Sequence, residues 1–252
     1  MINSSIFKKN YFEIIIRKIY ENWSIYKIKK NHKLWSDIND YHKKTSSTGC
    51  SYTDYWELYK LIKKHKPIEV LECGPGVTTV VIANALRENF DETGLQGKIT
   101  CMENHKEWYE MAYEILPNEF KEITSFVLSD IEEKTFSMFR GVCYRDLPKK
   151  NYDFILIDGP EYISPKDKTP CFDFDFLNAI QFSNNSINGL IDKRVSTCYV
   201  LQQLFGHKKI KYNNIKGLGY IKNCSYKDIK HHAVSISSES FNLSRRYLTI
   251  KN

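Results

Sequence analysis

Between Pro67 and Thr79 the chain reads Pro-Ile-Glu-Val-Leu-Glu-Cys-Gly-Pro-Gly-Val-Thr-Thr, and no other stretch restricts the fold as much. A short apolar run fit for a buried parallel strand breaks at two glycines. An amphipathic pattern then continues through Val80, Val81, Ala83, Asn84, Ala85 and Leu86. The reading is strand, tight loop, helix. Glycine lets backbone approach a ligand where a Cβ would collide, and the start of the helix offers unpaired N–H groups. The stretch is therefore a candidate cofactor loop, with an ordinary strand-to-helix turn as the plain alternative.

The residues around the loop narrow the choice of cofactor. A dinucleotide fingerprint uses three glycines, the third for close packing of helix on strand. Gly74 and Gly76 are present, but Thr79 stands where the third would fall. Glu72, two residues before Gly74, sits poorly beside a pyrophosphate and suits a ligand carrying an ammonium and a sulfonium. With this acid and these glycines the chain resembles the class I S-adenosylmethionine-dependent methyltransferases, of the small-molecule O-methyltransferase type. The resemblance covers the order of motifs from about Glu69 to Asp192. It implies an α/β fold: a three-layer Rossmann-like sheet, mostly parallel with an antiparallel C-terminal strand, here with N-terminal helices added.

Further along, a second strand over Lys98–Met102 ends at Glu103, and a helix from near His105 runs through Trp108 and Met111 to Ile115. An acid at that strand end can accept hydrogen bonds from both ribose hydroxyls of a nucleoside cofactor. Taken alone, it is equally an acid favoured by a helix dipole. Ile123–Leu128 reads as a third strand ending at Ser129-Asp130. Glu132–Lys150 reads as an inserted stretch with a short strand over Phe139–Tyr144. Tyr152–Ile157 is a continuous apolar strand ending in Asp158-Gly159-Pro160, the pattern of a central parallel strand whose carboxyl end opens onto a site.

After a loop from Glu161 to Cys171 come a helix over Phe174–Phe182 and a strand over Ser186–Ile191 ending in Asp192-Lys193-Arg194. A helix over Ser196–Phe205 follows. Lys209–Tyr212 reads as a strand, Gly217-Leu218-Gly219 as a turn and Tyr247–Ile250 as a closing strand. His231 and His232 are further candidate bases.

Ahead of the loop, Phe12, Ile15, Ile16, Ile19, Trp23 and Tyr26 recur at helical spacing among Lys8, Lys9, Arg17, Lys18 and Lys27. Such a helix packs against the catalytic domain or a second subunit, which offers a homo-oligomer interface. An anionic membrane surface is the sharper alternative. Thr53 is the expected cap of a helix over Asp54–Lys64. Tyr52, Tyr55 and Trp56 there read as core aromatics, with a lid over the cofactor as the alternative. The division expected is an N-terminal helical extension, 1–50, and a cofactor-binding domain, 51–252.

The chain has 252 residues, ample for a large core, and a net charge of +7, too diffuse to read as a nucleic-acid footprint. A base methyltransferase would show Asn or Asp followed by Pro-Pro and an aromatic where this chain has Asp158-Gly159-Pro160-Glu161. Nucleic acid is accordingly not the expected partner. Seven cysteines without a C-x-x-C pair point to reduced thiols. With no spanning segment and no signal-peptide pattern, the expected location is cytoplasmic.

The resemblance assigns roles. Glu72, Gly74, Pro75, Gly76, Thr78 and Thr79 hold the methionine end of S-adenosylmethionine, with S-adenosylhomocysteine as product. Glu103 and Asn104 take the ribose, Ser129 and Asp130 the adenine, and Asp158 and Gly159 line the same cofactor. Asp158, then Asp192, is the base that takes a proton from an acceptor hydroxyl. Glu161, Tyr162, Lys193 and Arg194 face the acceptor, a small polar molecule that is sugar-like or phosphorylated. In metal-dependent relatives of this type a third ligand follows the second acid. Lys193 takes that place here, so a divalent metal is disfavoured. The alternatives are a nicotinamide-dependent oxidoreductase or epimerase, a binding protein with a vestigial cofactor site, and an RNA ribose methyltransferase.

Overall fold

The computed structural model describes residues 4–45 and 50–229. The anticipated strand near Tyr247–Ile250, and His231 and His232, lie outside them. The strands are β1 (Glu69–Cys73), β2 (Lys98–Glu103), β3 (Thr124–Leu128), β4 (Ile131–Phe136), β5 (Phe139–Tyr144), β6 (Phe154–Ile157), β7 (Phe172–Asp173), β8 (Ile187–Asp192), β9 (Ile210–Asn213) and β10 (Leu218–Cys224). The helices are α1 (Ser4–Lys29), α2 (His32–His42), α3 (Tyr52–His65), α4 (Val77–Thr93), α5 (Lys106–Ile115), α6 (Asn118–Lys121), α7 (Asp175–Phe182) and α8 (Val195–Phe205).

Seven strands form the main sheet in the order β3-β2-β1-β6-β8-β10-β9. β1 lies parallel to both β2 and β6, and β6 parallel to β8, whereas β10 is antiparallel to β8 and β9. The strand order reverses between β1 and β6, so a crevice opens there at the carboxyl ends, where open α/β sheets bind ligands. The three-layer, Rossmann-like sheet with an antiparallel strand late in the chain is the architecture expected. That strand is β10. The Gly217-Leu218-Gly219 reading is corrected in part: Gly217, with φ +71°, makes the turn, but Leu218 and Gly219 are already in β10. Gly219 is a strand residue paired with Ile191 and Tyr212, and it is glycine because a Cβ there would run into Cys198 of α8 and lie 3.1 Å from Ile191 Cβ.

Both faces of the sheet are covered. Leu71, Cys73, Ile155, Ile157 and Ile191 face α7 and α8, while Val70, Leu156 and Leu190 join Val80, Val81 and Leu86 of α4 and Leu58 and Ile62 of α3. Each such side chain, fully buried, contributes about 1.5–3 kcal/mol of hydrophobic stabilisation. The inserted stretch holds more structure than expected. β4 and β5 pair as a hairpin, and β7 adds to β5 in a second, three-stranded sheet.

The amino-terminal helices are tied to this body by polar as well as apolar contacts. Leu34, Ile38 and Tyr41 of α2 share the core with α4, and Asn84 of α4, fully buried, donates to Asp37 Oδ2 at 2.9 Å. Glu21 of α1 accepts from the backbone N–H groups of Tyr52 and Thr53 at 2.9 and 3.0 Å, which satisfies donors orphaned at the start of α3. Ser51, not Thr53, is the N-cap of α3: its Oγ accepts from Asp54 N, and Asp54 reaches back to Ser51 N at 2.6 Å. Tyr55 is buried and Trp56 stacks on Tyr59, so the aromatics of α3 belong to the packing, not to a lid. Phe12, Ile19 and Tyr26 of α1 stay exposed. Among the described residues no helix is long and apolar enough to cross a membrane.

Candidate active site

The crevice begins with backbone meeting backbone. Gly74 leaves β1 with φ +87°, and its N–H donates to Met102 O at 3.0 Å. A Cβ at Gly74 would lie 3.0 Å from Gly159 N and 3.1 Å from Asp158 C; one at Gly159 would lie 2.9 Å from Gly74 Cα. These two glycines let the loops after β1 and β6 touch, which brings Asp158 up against the glycine loop. Gly76 differs: a Cβ there would meet nothing within 4 Å. Its open side faces away from packed atoms just before α4, leaving room for a ligand against the helix start.

Glu72 does something other than expected. It is fully buried, and both carboxylate oxygens are in use: Thr78 Oγ1 donates to Oε1 at 2.6 Å, and Thr79 Oγ1 and Cys101 Sγ donate to Oε2 at 2.6 and 3.1 Å. Thr79 Oγ1 also accepts from Gly76 N at 3.1 Å. Burial raises the Glu72 carboxyl to about 7, against the hydroxyl and thiol donors that favour its charge. Glu72, Thr78 and Thr79 thus fasten the loop to the first turn of α4, and none of the three presents a polar atom to a ligand in this arrangement. The same bonds explain why Thr79 stands where a dinucleotide fingerprint has its third glycine.

Glu103 ends β2 nearly buried. The N–H groups of Asn104 and His105 both donate to its Oε1 at 2.8 Å, so the expected helix-start role is real and is confined to one oxygen. Burial raises its pKa. Ser129 is buried, with its Oγ bonded to Asp130 O and accepting from Asp146 N. Asp130 is exposed and pairs with Arg145 at 3.1 Å. Pro75 and Asn104 are half-buried along the crevice.

Asp158 and Asp192 sit at the adjacent ends of β6 and β8, as the strand pattern anticipated, and the Cys50 thiol is 3.3 Å from Oδ2 of the first and 3.9 Å from Oδ2 of the second. Two carboxyls so placed disfavour each other's ionisation. Burial first raises Asp158, opposed by Arg194; burial and then the Asp158 charge raise Asp192. Two further residues complete the group. Cys50 Sγ donates to Asp158 Oδ2 at 3.3 Å, and Asp54, raised to about 6 by burial and then by Asp192, stands beside them. Burial, then Asp158 and Asp192, push the Cys50 thiol well above its usual range, so it acts as a donor and not as a nucleophile.

The basic residues after β8 separate. Arg194 is committed inside the protein: it donates to Pro160 O at 2.7 Å, Asp158 O at 2.5 Å and Asp173 Oδ1 at 2.5 Å, and its side chain is only 10% exposed. The acceptor-binding role expected of Arg194 gives way to one of holding the Asp158-Gly159-Pro160 turn. Lys193 instead sits 3.7 Å from Asp54 Oδ2 and 3.7 Å from Asp192 Oδ2. Glu161 and Tyr162 are exposed, Tyr162 with its ring 5.3 Å from the Arg194 guanidinium. Sequence reasoning missed Cys50, Asp54 and the Arg194–Asp173 pair. Only the Ser51-x-x-Asp54 capping box was legible, and it says nothing of Asp192.

No protein-family model matches the chain, and no curated protein matches it. Solved structures give distant likenesses. The O-methyltransferase TomG from Streptomyces achromogenes, in complex with S-adenosylmethionine, is 13% identical, with a TM-score of 0.47 over 75% of this chain and 89% of that one. An O-methyltransferase from Bacillus cereus with S-adenosylhomocysteine is 13% identical, with a TM-score of 0.42 over 73% of each chain. A Podospora anserina methyltransferase bound to S-adenosylhomocysteine is 10% identical, with a TM-score of 0.43 over 89% and 97%. Likenesses this remote carry no argument about activity. The strand order, with its reversal at β1 and β6 and its antiparallel β10, stands on its own. The fold is the three-layer, mostly parallel Rossmann-like sheet that the sequence led one to expect.

Proposed function

We propose that the chain is an S-adenosylmethionine-dependent methyltransferase that acts on a hydroxyl of a small polar acceptor. The observation that carries this reading is the placement of Asp158 and Asp192 at the adjacent carboxyl ends of β6 and β8, at the mouth of the crevice where the Gly74 loop meets Gly159. The residues fit the cofactor. Gly76 offers an open cradle at the start of α4, and Glu103 keeps both backbone bonds on one oxygen, leaving Oε2 for the sugar hydroxyls. When bound, S-adenosylmethionine supplies a methyl group already activated by its sulfonium.

The protein's own part is then positioning and proton removal. The ionised member of the pair accepts the proton of the acceptor hydroxyl, with Asp158 the nearer to the glycine loop. The Cys50 thiol and the buried Arg194 guanidinium hold Asp158 from its side chain and its carbonyl, so the carboxylate does not swing away. Orientation of an acceptor lone pair within about 3–3.5 Å of the methyl carbon provides most of the acceleration. A divalent metal does not fit this group, because a lysine ammonium already stands between two of the carboxylates, and no step is routed through one.

Calorimetric titration with S-adenosylhomocysteine and with NAD is the first test: binding of the former and not the latter is expected, and the reverse would overturn the reading in favour of an oxidoreductase. Asp158→Asn is expected to abolish turnover on an accepted substrate while cofactor affinity stays within about tenfold. Unchanged turnover would remove Asp158 as the base.

A further inference from the structure

Atoms of Cys50, Asp54 and Asp192 that can bind a metal lie within 4.8 Å of one another, and Asp158 is in contact with Cys50. Asp54 and Asp192 are 2% and 6% exposed, and the Oδ1 atom of each is buried without a hydrogen-bond partner. Carboxylates crowded out of water repel one another and call for a cation. A hard divalent ion wants a shell of oxygen donors. Here one of the three donors is a protonated thiol, and Lys193 Nζ stands 3.7 Å from Oδ2 of both Asp54 and Asp192.

The backbone sets that lysine in place. Lys193 has φ 49°, in the left-handed region that side-chain-bearing residues rarely adopt, and its N–H donates to Gly217 O at 2.9 Å across the turn into β10. A Cβ on Gly217 would lie 3.6 Å from Lys193 Cγ, so the two turns shape each other. Asp54 is held in turn by its capping bond to Ser51 N. The cluster therefore joins three segments: the start of α3, the end of β6 and the end of β8.

We propose that Lys193 is the resident cation of the acceptor subsite, its ammonium bridging Asp54 and Asp192 in the place a divalent ion would take. Calling the subsite the acceptor's rests on the methyltransferase reading; the bridge itself does not. The ammonium offsets the repulsion among the acids, which lets one of them stay ionised to take a proton. Lys193 is thus a positioning residue, acting through the carboxylates.

The test uses the full-length, metal-stripped protein and Mn²⁺ alone, with the paramagnetic resonance of the free ion as readout. Wild type and Lys193→Arg are expected to leave the signal unchanged up to concentrations on the order of a millimolar, the weak end of divalent-ion sites. Lys193→Met is expected to bind one Mn²⁺ at least about tenfold more tightly than wild type, because the bared carboxylates gain about 1.4 kcal/mol or more for an external cation. Adding Asp192→Asn to Lys193→Met should abolish that binding. Tight binding by the wild type that Asp192→Asn removes would overturn the proposal, as would silence of a Lys193→Met protein whose circular dichroism matches wild type. Should Lys193→Met fail to fold, Lys193→Gln takes its place, and the wild-type measurement decides independently. Titration of the same wild-type sample with S-adenosylhomocysteine reports separately on the cofactor reading.

Discussion

Gly74 and Gly76 lie two residues apart in one loop, and the structure gives them opposite sensitivities to the same added methyl group. Gly74→Ala puts a Cβ on a backbone at φ +87°, which costs an L residue about 1–2 kcal/mol. The methyl also arrives 3.0 Å from Gly159 N and 3.1 Å from Asp158 C, backbone atoms that cannot rotate aside, and overpacking of this kind costs about 1–3 kcal/mol. A total near 3 kcal/mol is expected, which lowers the thermal midpoint by about 6–12 °C in a domain of this size. Gly76→Ala meets no atom within 4 Å and sits at φ −175°, extended backbone open to any residue, so stability should change by no more than about 0.5 kcal/mol. The Gly76 methyl instead occupies the space before α4. Affinity for S-adenosylhomocysteine should fall by tenfold or more, a loss of about 1.4 kcal/mol. The assay is paired: thermal unfolding followed by circular dichroism, and calorimetric titration on the same samples. A Gly74→Ala protein as stable as wild type would refute the packing argument. A Gly76→Ala protein of unchanged stability and unchanged affinity would refute the loop as a cofactor cradle.

Three other outcomes are expected. Glu72 has its folded pKa raised from 4.5 to about 7, so its protonated form favours folding; that contribution is complete below about 4.5, is lost as pH rises through about 7, and amounts to at most about 3 kcal/mol. Glu72→Gln should therefore gain stability relative to wild type between pH 5 and pH 8.5, and a difference in thermal midpoint that does not vary with pH would show that the carboxyl is not buried as described. Arg194→Met strands the fully buried Asp173 carboxylate, which retains the bond from Thr197 Oγ1 but no opposite charge at Oδ1, and should cost about 3–5 kcal/mol by chemical denaturation. Adding Asp173→Asn should restore part of the loss; no restoration would mean that Arg194 acts through the carbonyls of Asp158 and Pro160 instead. Glu103→Ala removes a charged acceptor for sugar hydroxyls, worth about 1.5–3 kcal/mol, so S-adenosylhomocysteine should bind about 10- to 100-fold more weakly by calorimetry. Equal binding would take Glu103 out of the site.

Much of the architecture was legible because it depends on short-range pattern. β1, β6 and β8 are apolar runs buried on both faces, and their carboxyl ends are marked by Gly74, Asp158 and Asp192. The second sheet was less legible. β4 reads Ile-Glu-Glu-Lys-Thr-Phe and β7 is two residues long, so neither carries an apolar run of its own, and both depend on β5 as partner. Glu72 was legible as a residue of consequence but not in its role. Its position invites a ligand ammonium, whereas the first turn of α4 supplies two donors, Thr78 and Thr79, and β2 a third, Cys101.

The sequence by itself determined the alternation of strands and helices, the glycine bend after the first strand and the acids at the strand ends. Each of these follows from backbone preference and hydrophobic period within a few residues. Tertiary structure alone decided which charges meet. Asp54 and Asp192 are 138 positions apart by number, and they share Lys193 only because α3 packs beside the end of β8. Lys193 and Arg194 are neighbours of like charge in the chain, yet one faces the acid cluster and the other is buried against Asp173. The physical reason is that a buried charge is stable only where a partner of opposite sign is delivered to it, and that delivery belongs to the packing of distant segments.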